Sequence, residues 1–590
     1  MKNLGPNHAV ETTVSAAPES SYRQTRLRAT FWLIAIGLGA LHAWASRHFM
    51  NPDGLSYLDM ADAYLRGDWN MAINAYWSPL YSWLLGLAMH FLKPSPYWEF
   101  SVVHLVNFAT YLFALGCFDF FLLELTRYHR RQRDRFSRDA VMAFPEWAWL
   151  ALGYTLFIWA SLKLITINVA TPDMCVAAFV YLASGILLRI RSGSESWLSF
   201  ALLGAVLGFG YLAKTSMFPI AFVFLGVSMF SVGDIRRGLP RVMLAFVIFL
   251  SVAAPFVIAI SNAKGRFTIG DSAKLNYSWH VNRTNKYRHW QGDLPFSGTP
   301  KHPTRKILDV PAVYEFGTPI GGTYPAWYDP SYWHEGIVPN FDFREQIRVL
   351  MLSAKSYSFL FFNLQGGLIV GSFILYFMSR RGWMCVKDTL EQWFLLVPAA
   401  AALGMYSLVH VEARYIGAFV VLLWAGVFSA VRLPVSNDSE RNDSRRLVAS
   451  VNIAMVVVMM STIGLSSAQM AYSTAYDLIK DHRASYHVHW HVADGLNQMG
   501  VQPGDKVAFI GKTNKAFWAR LARVRIVAEI PSGEVNNFWA AKDSVKAQIF
   551  AAFAQTGVRA IVTRKVADQS FPRGWQRIGN TDHYAYFLKT

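Results

Sequence analysis

Charge is scarce in this chain. Of 590 residues only 16% are Asp, Glu, Lys or Arg, while 53% are hydrophobic and 15% aromatic. Soluble proteins carry roughly 25% charged residues, so the deficit excludes an ordinary soluble domain and indicates a membrane protein. Acidic residues are scarcer still: 38 Asp and Glu stand against 56 Lys and Arg, a formal net charge of +18. That surplus does not imply a nucleic-acid partner, because no basic face interleaved with exposed aromatics occurs outside short loops. Cysteine is almost missing. Cys117, Cys175 and Cys385 fit neither a metal site nor a disulfide framework. The first two fall inside apolar runs, where inert thiols are expected.

Apolar runs are abundant instead. A span needs about 20 mostly apolar residues. About eleven such segments begin near Thr30, Tyr97, Trp147, Asp173, Trp197, Thr215, Pro240, Tyr357, Glu391, Tyr415 and Arg446. A further piece, "YWSPLYSWLLGLAMHFL" from Tyr76 to Leu92, is short, aromatic-rich and interrupted by Pro79. It reads as an interfacial or re-entrant helix.

The basic residues alternate along these segments. "TRYHRRQRDRFSRD" carries six arginines from Arg127 to Arg138, and every second loop after it is basic: Arg189 and Arg191, then Arg236, Arg237 and Arg241, then Arg380, Arg381 and Lys387, then Arg432 to Arg446. The positive-inside rule puts this set in the cytoplasm. The expected organisation is a cytoplasmic tail over residues 1–29, a membrane domain over 30–480 with external loops at 49–96 and 262–355, and an external α/β domain over 481–590. The last follows from "HWHVADGLNQMGVQPGDKVAFIG", which reads as helix, turn, strand, an order that recurs to the end of the chain. The expected fold class is therefore mainly α and polytopic, in a plasma (inner) membrane, with a small soluble α/β domain outside. Ala43-Trp44-Ala45 looks like a signal-peptidase site. Cleaved or not, Asn51 onward is exported.

The segment after the first span, "NPDGLSYLDMADAYLRGDW", carries four aspartates. Leu55, Leu58, Ala61 and Leu65 recur at helical spacing, which predicts a helix along the membrane surface with Asp59 and Asp62 solvated on its far side. Asp53 precedes that helix in "NPDG", where a turn or N-cap role is as good a reading as a chemical one.

"PDGLSYLDMADAYLRGDW", followed by Tyr76-Trp77-Ser78-Pro79-Leu80-Tyr81, resembles the first external loop of GT-C membrane glycosyltransferases, in the protein O-mannosyltransferase and lipid A aminoarabinose transferase branch. "TINVATPDMCVAAFVYLASGILLRIRSG" is similar to the segment where an aspartate opens the fourth span, here Asp173. "LLGAVLGFGYLAKTSMFPIAFV" is similar to a small-residue helix ending in a lysine, here Lys214. The likeness covers about the first 260 residues; beyond them only topology and "HVEARY" agree. The family's acidic pair, commonly Asp-Glu, is Asp53-Gly54 here, so Asp53 alone carries over.

The resemblance implies an inverting glycosyltransferase that moves a sugar from a polyprenyl-phosphate donor to an acceptor hydroxyl at the outer face. The chemistry suits the residues. The leaving phosphate is a weak base and needs cations as its charge builds; Lys214 and Arg414 are the candidates. The attacking hydroxyl must lose a proton to a carboxylate, for which Asp53 is the candidate. Asp173 is open between orienting the acceptor, holding a divalent metal ion with Asp53, and capping its span. Glu412, Tyr81, Trp327, Tyr332 and His334 are candidate substrate contacts, since aromatic faces suit sugar rings and prenyl chains alike. Each has a plainer reading: span-end cations snorkel to headgroups, Glu412 pairs with Arg414 or Lys163, His410 is structural, and Trp and Tyr collect at any membrane interface. "FIGKTNK" lacks the glycines of a phosphate loop. The expected partners are membrane lipid, the lipid-linked donor, and an acceptor that is protein, lipid or glycan. Two other functions compete. A transporter or flippase tends to place ionisable groups at the bilayer midplane and to show repeated halves, whereas these groups cluster at one face and no repeat is apparent. A membrane scaffold leaves the external aspartates and lysine without a role.

Overall fold

The computed structural model describes residues 17–135, 141–143, 146–284, 289–293, 296–318, 320–378, 382–430, 432–434, 442–480, 487–565 and 573–588. Residues 1–16 of the expected tail, and the basic residues Arg138, Arg380, Arg381 and Arg441, lie outside them.

The helices are α1 (Ala17–Ala45), α2 (Pro52–Leu65), α3 (Pro79–Leu92), α4 (Glu99–Arg135), α5 (Glu146–Trp159), α6 (Asp173–Arg191), α7 (Trp197–Ala213), α8 (Met217–Ser231), α9 (Ile235–Lys264), α10 (Phe343–Ser358), α11 (Leu364–Met378), α12 (Trp393–Ser407), α13 (Ala413–Ser429) and α14 (Asn442–Ile479); α2 is the expected surface helix, α10 falls in the segment expected as the long external loop, and the others occupy expected apolar segments. Among the described residues, five helical segments, starting at Tyr22, Pro96, Glu146, Asp173 and Ile235, are long and apolar enough to cross a membrane, against about eleven expected. For four of the others the difference is length: α7, α8, α12 and α13 are apolar but have 10–17 residues, and at about 1.5 Å per residue they fall short of a hydrocarbon core of about 30 Å. The chain is an integral membrane protein by this measure.

Small residues set the packing that matters for the site. A Cβ on Gly204 of α7 would lie 2.1 Å from the Ala245 carbonyl oxygen, and one on Gly208 would lie 2.6 Å from Val252 Cβ. These two glycines, one turn apart, let α7 press against α9, a close approach that larger side chains forbid. The end of α7, where Lys214 sits, is fixed by that contact.

The C-terminal region forms a seven-stranded sheet with β1 (Arg305–Leu308) and β2 (Val313–Glu315) from the long loop, then β3 (Lys506–Gly511), β4 (Arg525–Pro531), β5 (Ala560–Arg564), β6 (Gln576–Arg577) and β7 (His583–Phe587). Their order across the sheet is β1-β2-β4-β3-β5-β7-β6. The centre β4-β3-β5 is parallel, and β3 is buried along Val507–Ile510, as a two-sided parallel strand should be. The outer strands are antiparallel, and β2 joins the sheet by pairing Tyr314 with Glu529 and Glu315 with Ala528.

One expectation is overturned. Asp59 is 6% exposed, not solvated. Its oxygens accept from Thr323 and pair with Arg520. The polar side of α2 is covered by the long loop and the sheet region, so it faces protein. Asp62 keeps 29% exposure and also pairs with Arg520.

Candidate active site

Four elements bring their ends to one place. Pro52 at the first helical position starts α2, its fixed φ suiting that position and its missing N–H costing nothing there. That puts Asp53 in the first turn, where the helix dipole favours an anion. Asp173 opens α6 and is 3% exposed. Lys214 follows α7 as its C-terminal cap in extended conformation. Arg414 stands in the first turn of α13, after Glu412 as N-cap.

The side chains form one charged cluster. Lys214 Nζ lies 2.6 Å from Asp173 Oδ1 and 3.5 Å from the Tyr415 ring centroid, a cation–π contact. Arg414 Nε donates to Glu412 Oε2 at 2.7 Å. Its Nη atoms reach further, 3.4 Å to Asp53 Oδ2 and 3.6 Å to Asp173 Oδ2. Tight guanidinium–carboxylate bonds run about 2.7–2.9 Å. Arg414 is therefore anchored through Nε while its fork is held loosely between two carboxylates. Trp327 Nε1–H donates to the other oxygen of Asp53 at 3.2 Å. Burial pushes the Glu412 carboxyl up, but His410 and Arg414 outweigh it and hold it well below the usual range. Lys214, Arg414 and Asp53 keep 22%, 21% and 19% of their side-chain exposure, so the cluster is reachable from outside the protein.

Asp53, Asp173, Lys214, Arg414, Glu412 and Trp327 thus meet. Tyr81, Tyr332 and His334 do not join them. The Tyr81 hydroxyl donates to Asn107 Oδ1 at 2.5 Å inside the helix packing. Tyr332 stacks on His302 at 4.2 Å. His334 is buried with Nδ1 at 3.0 Å from the Pro330 carbonyl oxygen, and burial lowers its pKa to about 4. Glu412 pairs with His410 and Arg414 rather than Lys163. Nor do Asp53 and Asp173 fit a divalent ion as they stand. Arg414 bridges them and Lys214 occupies Asp173. No group of three or more His, Cys, Asp or Glu suited to a metal occurs among the described residues.

No family model and no curated protein matches the sequence. Solved structures do match. The oligosaccharyltransferase of Archaeoglobus fulgidus, solved with zinc and sulfate, is 12% identical at a TM-score of 0.50, over 91% of this chain and 68% of that one. ArnT from Cupriavidus metallidurans bound to undecaprenyl phosphate is 12% identical at a TM-score of 0.49, over 97% of this chain and 98% of that one. Its apo form is 13% identical at 0.46, over 91% and 93%.

The chain has the GT-C fold.

Within this GT-C fold, the departure at Gly54 has a physical cause. A Cβ there would lie 2.4 Å from Ala170 Cβ and 2.7 Å from Met50 Sδ. No side chain fits, so an acid cannot follow Asp53 unless the 166–172 connection moves. That connection is tied to the same turn, since Ala170 N–H donates to Asn51 Oδ1 at 2.7 Å. Sequence reasoning missed Tyr415, whose ring takes the Lys214 ammonium, although it stands beside Arg414 in "HVEARY". It also missed Asp59 and Arg520, which no local pattern pairs across 461 positions.

Proposed function

We propose that this protein is an inverting glycosyltransferase that takes a sugar from a polyprenyl-phosphate carrier. The observation that carries the reading is the convergence of Asp53, Asp173, Lys214 and Arg414, from four elements, on one partly open cluster. The acceptor hydroxyl oxygen attacks the anomeric carbon and its proton passes to Asp53. The bond from that carbon to the phosphate oxygen breaks, and the electron pair leaves with the phosphate. Lys214 and the loose fork of Arg414 balance the charge that develops there, a role for which preorganised cations are worth several kcal/mol. Attack opposite the leaving phosphate inverts the anomeric configuration. Asp173 holds Lys214 in place and shares Arg414 with Asp53.

The reading puts the cluster on the external side. The arginine-bearing ends of α4 and α6 meet each other, Arg131 donating to the Ser192 carbonyl. Asp173 lies at the other end of α6, a helix of 19 residues, or about 27 Å away at the helical rise. If the arginines are cytoplasmic, the cluster is not.

The test is to incubate the purified full-length protein with a panel of undecaprenyl-phosphate sugars and an envelope extract as acceptor source, and to measure carrier phosphate release. Release with at least one sugar, lost in Asp53→Asn by a factor on the order of 100 or more, supports the reading. No release from any sugar, or full activity in Asp53→Asn, refutes it.

A further inference from the structure

Arg520 belongs to a one-turn helix, Trp518–Leu521, in the C-terminal region. It is 5% exposed and holds three carboxylates: Nη1 lies 2.8 Å from Asp59 and 2.6 Å from Asp62, and Nε lies 2.6 Å from Glu99. Asp59 and Asp62 are on α2, the helix whose first turn carries Asp53. A guanidinium fits such a fan of acceptors, whereas an ammonium supplies only a point charge.

Asp59 spends its remaining lone pairs on the long external loop. Thr323 N–H donates to Oδ2 at 2.7 Å and Thr323 Oγ1–H to Oδ1 at 2.9 Å. Gly322 makes this possible: its φ is +66°, and a Cβ there would lie 2.7 Å from Asp59 Oδ2. The same loop is tied to β4. Ile526 N–H donates to the Thr323 carbonyl at 3.0 Å, Phe316 N–H to the Val527 carbonyl at 2.9 Å, and Tyr324 hydroxyl to Glu529 at 3.1 Å. The next residues form the turn Pro325–Tyr328. Trp327 is clamped there, its carbonyl accepting from Ser56 Oγ at 2.8 Å and Trp77 Nε1 at 3.2 Å. Its indole then donates to Asp53.

We propose that Arg520 is a positioning residue for Asp53, acting through Asp59, the Thr323 strap and the Trp327 indole, so that the C-terminal region sets the orientation of the carboxylate that receives the proton. The inference rests on the transfer reading only for the role of Asp53; the mechanical link stands on the contacts alone. The indole holds one oxygen of Asp53 and leaves Arg414 at 3.4 Å from the other. Once the strap is released, no other hydrogen bond among the described residues keeps that carboxylate from closing onto the guanidinium as a tight fork. Its lone pairs are then engaged, and it accepts a proton poorly.

The test uses full-length protein in nanodiscs and three variants. Arg520→Lys keeps one charge but replaces the planar fork by a single nitrogen, which cannot take the places of both Nη1 and Nε. Thr323→Val breaks one strap bond and leaves the ion cluster intact. Trp327→Phe removes the last link. Two quantities are read: the rate at which a carbodiimide labels Asp53, measured by mass spectrometry, and kcat and KM with the sugar donor that releases carrier. Arg520→Lys and Thr323→Val are each expected to slow Asp53 labelling several-fold. They are also expected to cut kcat about 10-fold or more while KM for the donor changes less than about 3-fold, as displacement of a reacting group does. The acid limb of the kcat profile should move to lower pH. Arg520→Lys with Trp327→Phe should be no worse than Trp327→Phe alone, because the two act in series. Hydrogen exchange of β3 and β5 reports whether the sheet is intact; if Arg520→Lys loses protection there, Thr323→Val decides. Wild-type labelling and kcat in that variant, or effects that multiply in the double variant, overturn the proposal. If wild-type protein releases no carrier from any sugar, the transfer reading fails, and the labelling rates alone support or overturn the link.

Discussion

Replacing Gly54 by alanine should disable the candidate site without touching a charged residue. The added Cβ would stand 2.4 Å from Ala170 Cβ. Carbon atoms pack at about 3.5–4.0 Å, so something must move by roughly 1.1–1.6 Å. Met50 Sδ, 2.7 Å from the same point, belongs to a flexible side chain that can give way, so Ala170 is the contact that decides. The short connection from Asn168 to Pro172 is the softer partner, and it runs directly into Asp173. Asp173 would be displaced relative to Lys214 and Arg414, or Asp53 would tilt away from both. Misplacement by about 1 Å costs on the order of 100-fold in turnover, equivalent to about 2.7 kcal/mol at 1.36 kcal/mol per decade. The overpacking itself costs about 1–3 kcal/mol of stability. The assay is carrier phosphate release under saturating donor, with melting temperature as the folding control. Ala170→Gly opens the matching space, so the double variant Gly54→Ala/Ala170→Gly should recover most of the lost turnover. Wild-type turnover in Gly54→Ala, or no recovery in the double variant, would refute the reasoning.

Removing the Tyr415 ring with Tyr415→Leu takes away the face under Lys214, worth about 0.5–2 kcal/mol; donor KM should rise about 2- to 30-fold, and an unchanged KM would count against a donor role for Lys214. His489 is half-buried, and its buried Nδ1 finds no hydrogen-bond partner among the described residues. Burial, joined by His583 and Arg564, lowers its pKa to about 4. The unfolded chain binds this proton below about pH 6.5 while the folded one stays neutral. Stability is therefore full above pH 6.5 and falls as pH drops towards 4, by up to about 3 kcal/mol. The protection of β3 against hydrogen exchange, corrected for the intrinsic slowing of amide exchange in acid, should fall over that window, and His489→Leu should flatten the response. Finally, Phe341 is 69% exposed in the long loop. In a Cys385→Ser background, a cysteine placed by Phe341→Cys should react with a membrane-impermeant maleimide added outside; reaction only from the cytoplasmic side would reverse the proposed orientation.

Much of the helical framework is legible in the sequence because apolar runs of this length have few alternatives. Asp53, Asp173, Lys214 and Arg414 were also readable, since each stands where a helix begins or ends, and helix ends are where buried spans meet water. Span lengths were less legible: α7 and α8 are separated only by Lys214, Thr215 and Ser216, and a hydropathy run does not show how soon a helix stops. The burial of Asp59 was invisible because periodicity describes one helix, while the groups that cover it, Thr323 and Arg520, lie 264 and 461 positions away. Strands β1 and β2 were hidden for the same reason. Four- and three-residue strands carry almost no pattern of their own, and they exist through pairing with each other and with β4. Tyr332 and His334 sit in an aromatic-rich run whose composition does not show that they meet His302 and the Pro330 carbonyl rather than the charged cluster.

The account depends on Lys214 and Arg414 forming one phosphate site. The most direct measurement is the affinity of undecaprenyl phosphate for the wild-type protein and for Lys214→Ala and Arg414→Ala, in nanodiscs of neutral lipid. Saturable binding weakened about 10-fold or more by each substitution is the predicted result, since each loses a charge-assisted contact of about 1.5–3 kcal/mol. Binding that neither substitution changes would contradict it.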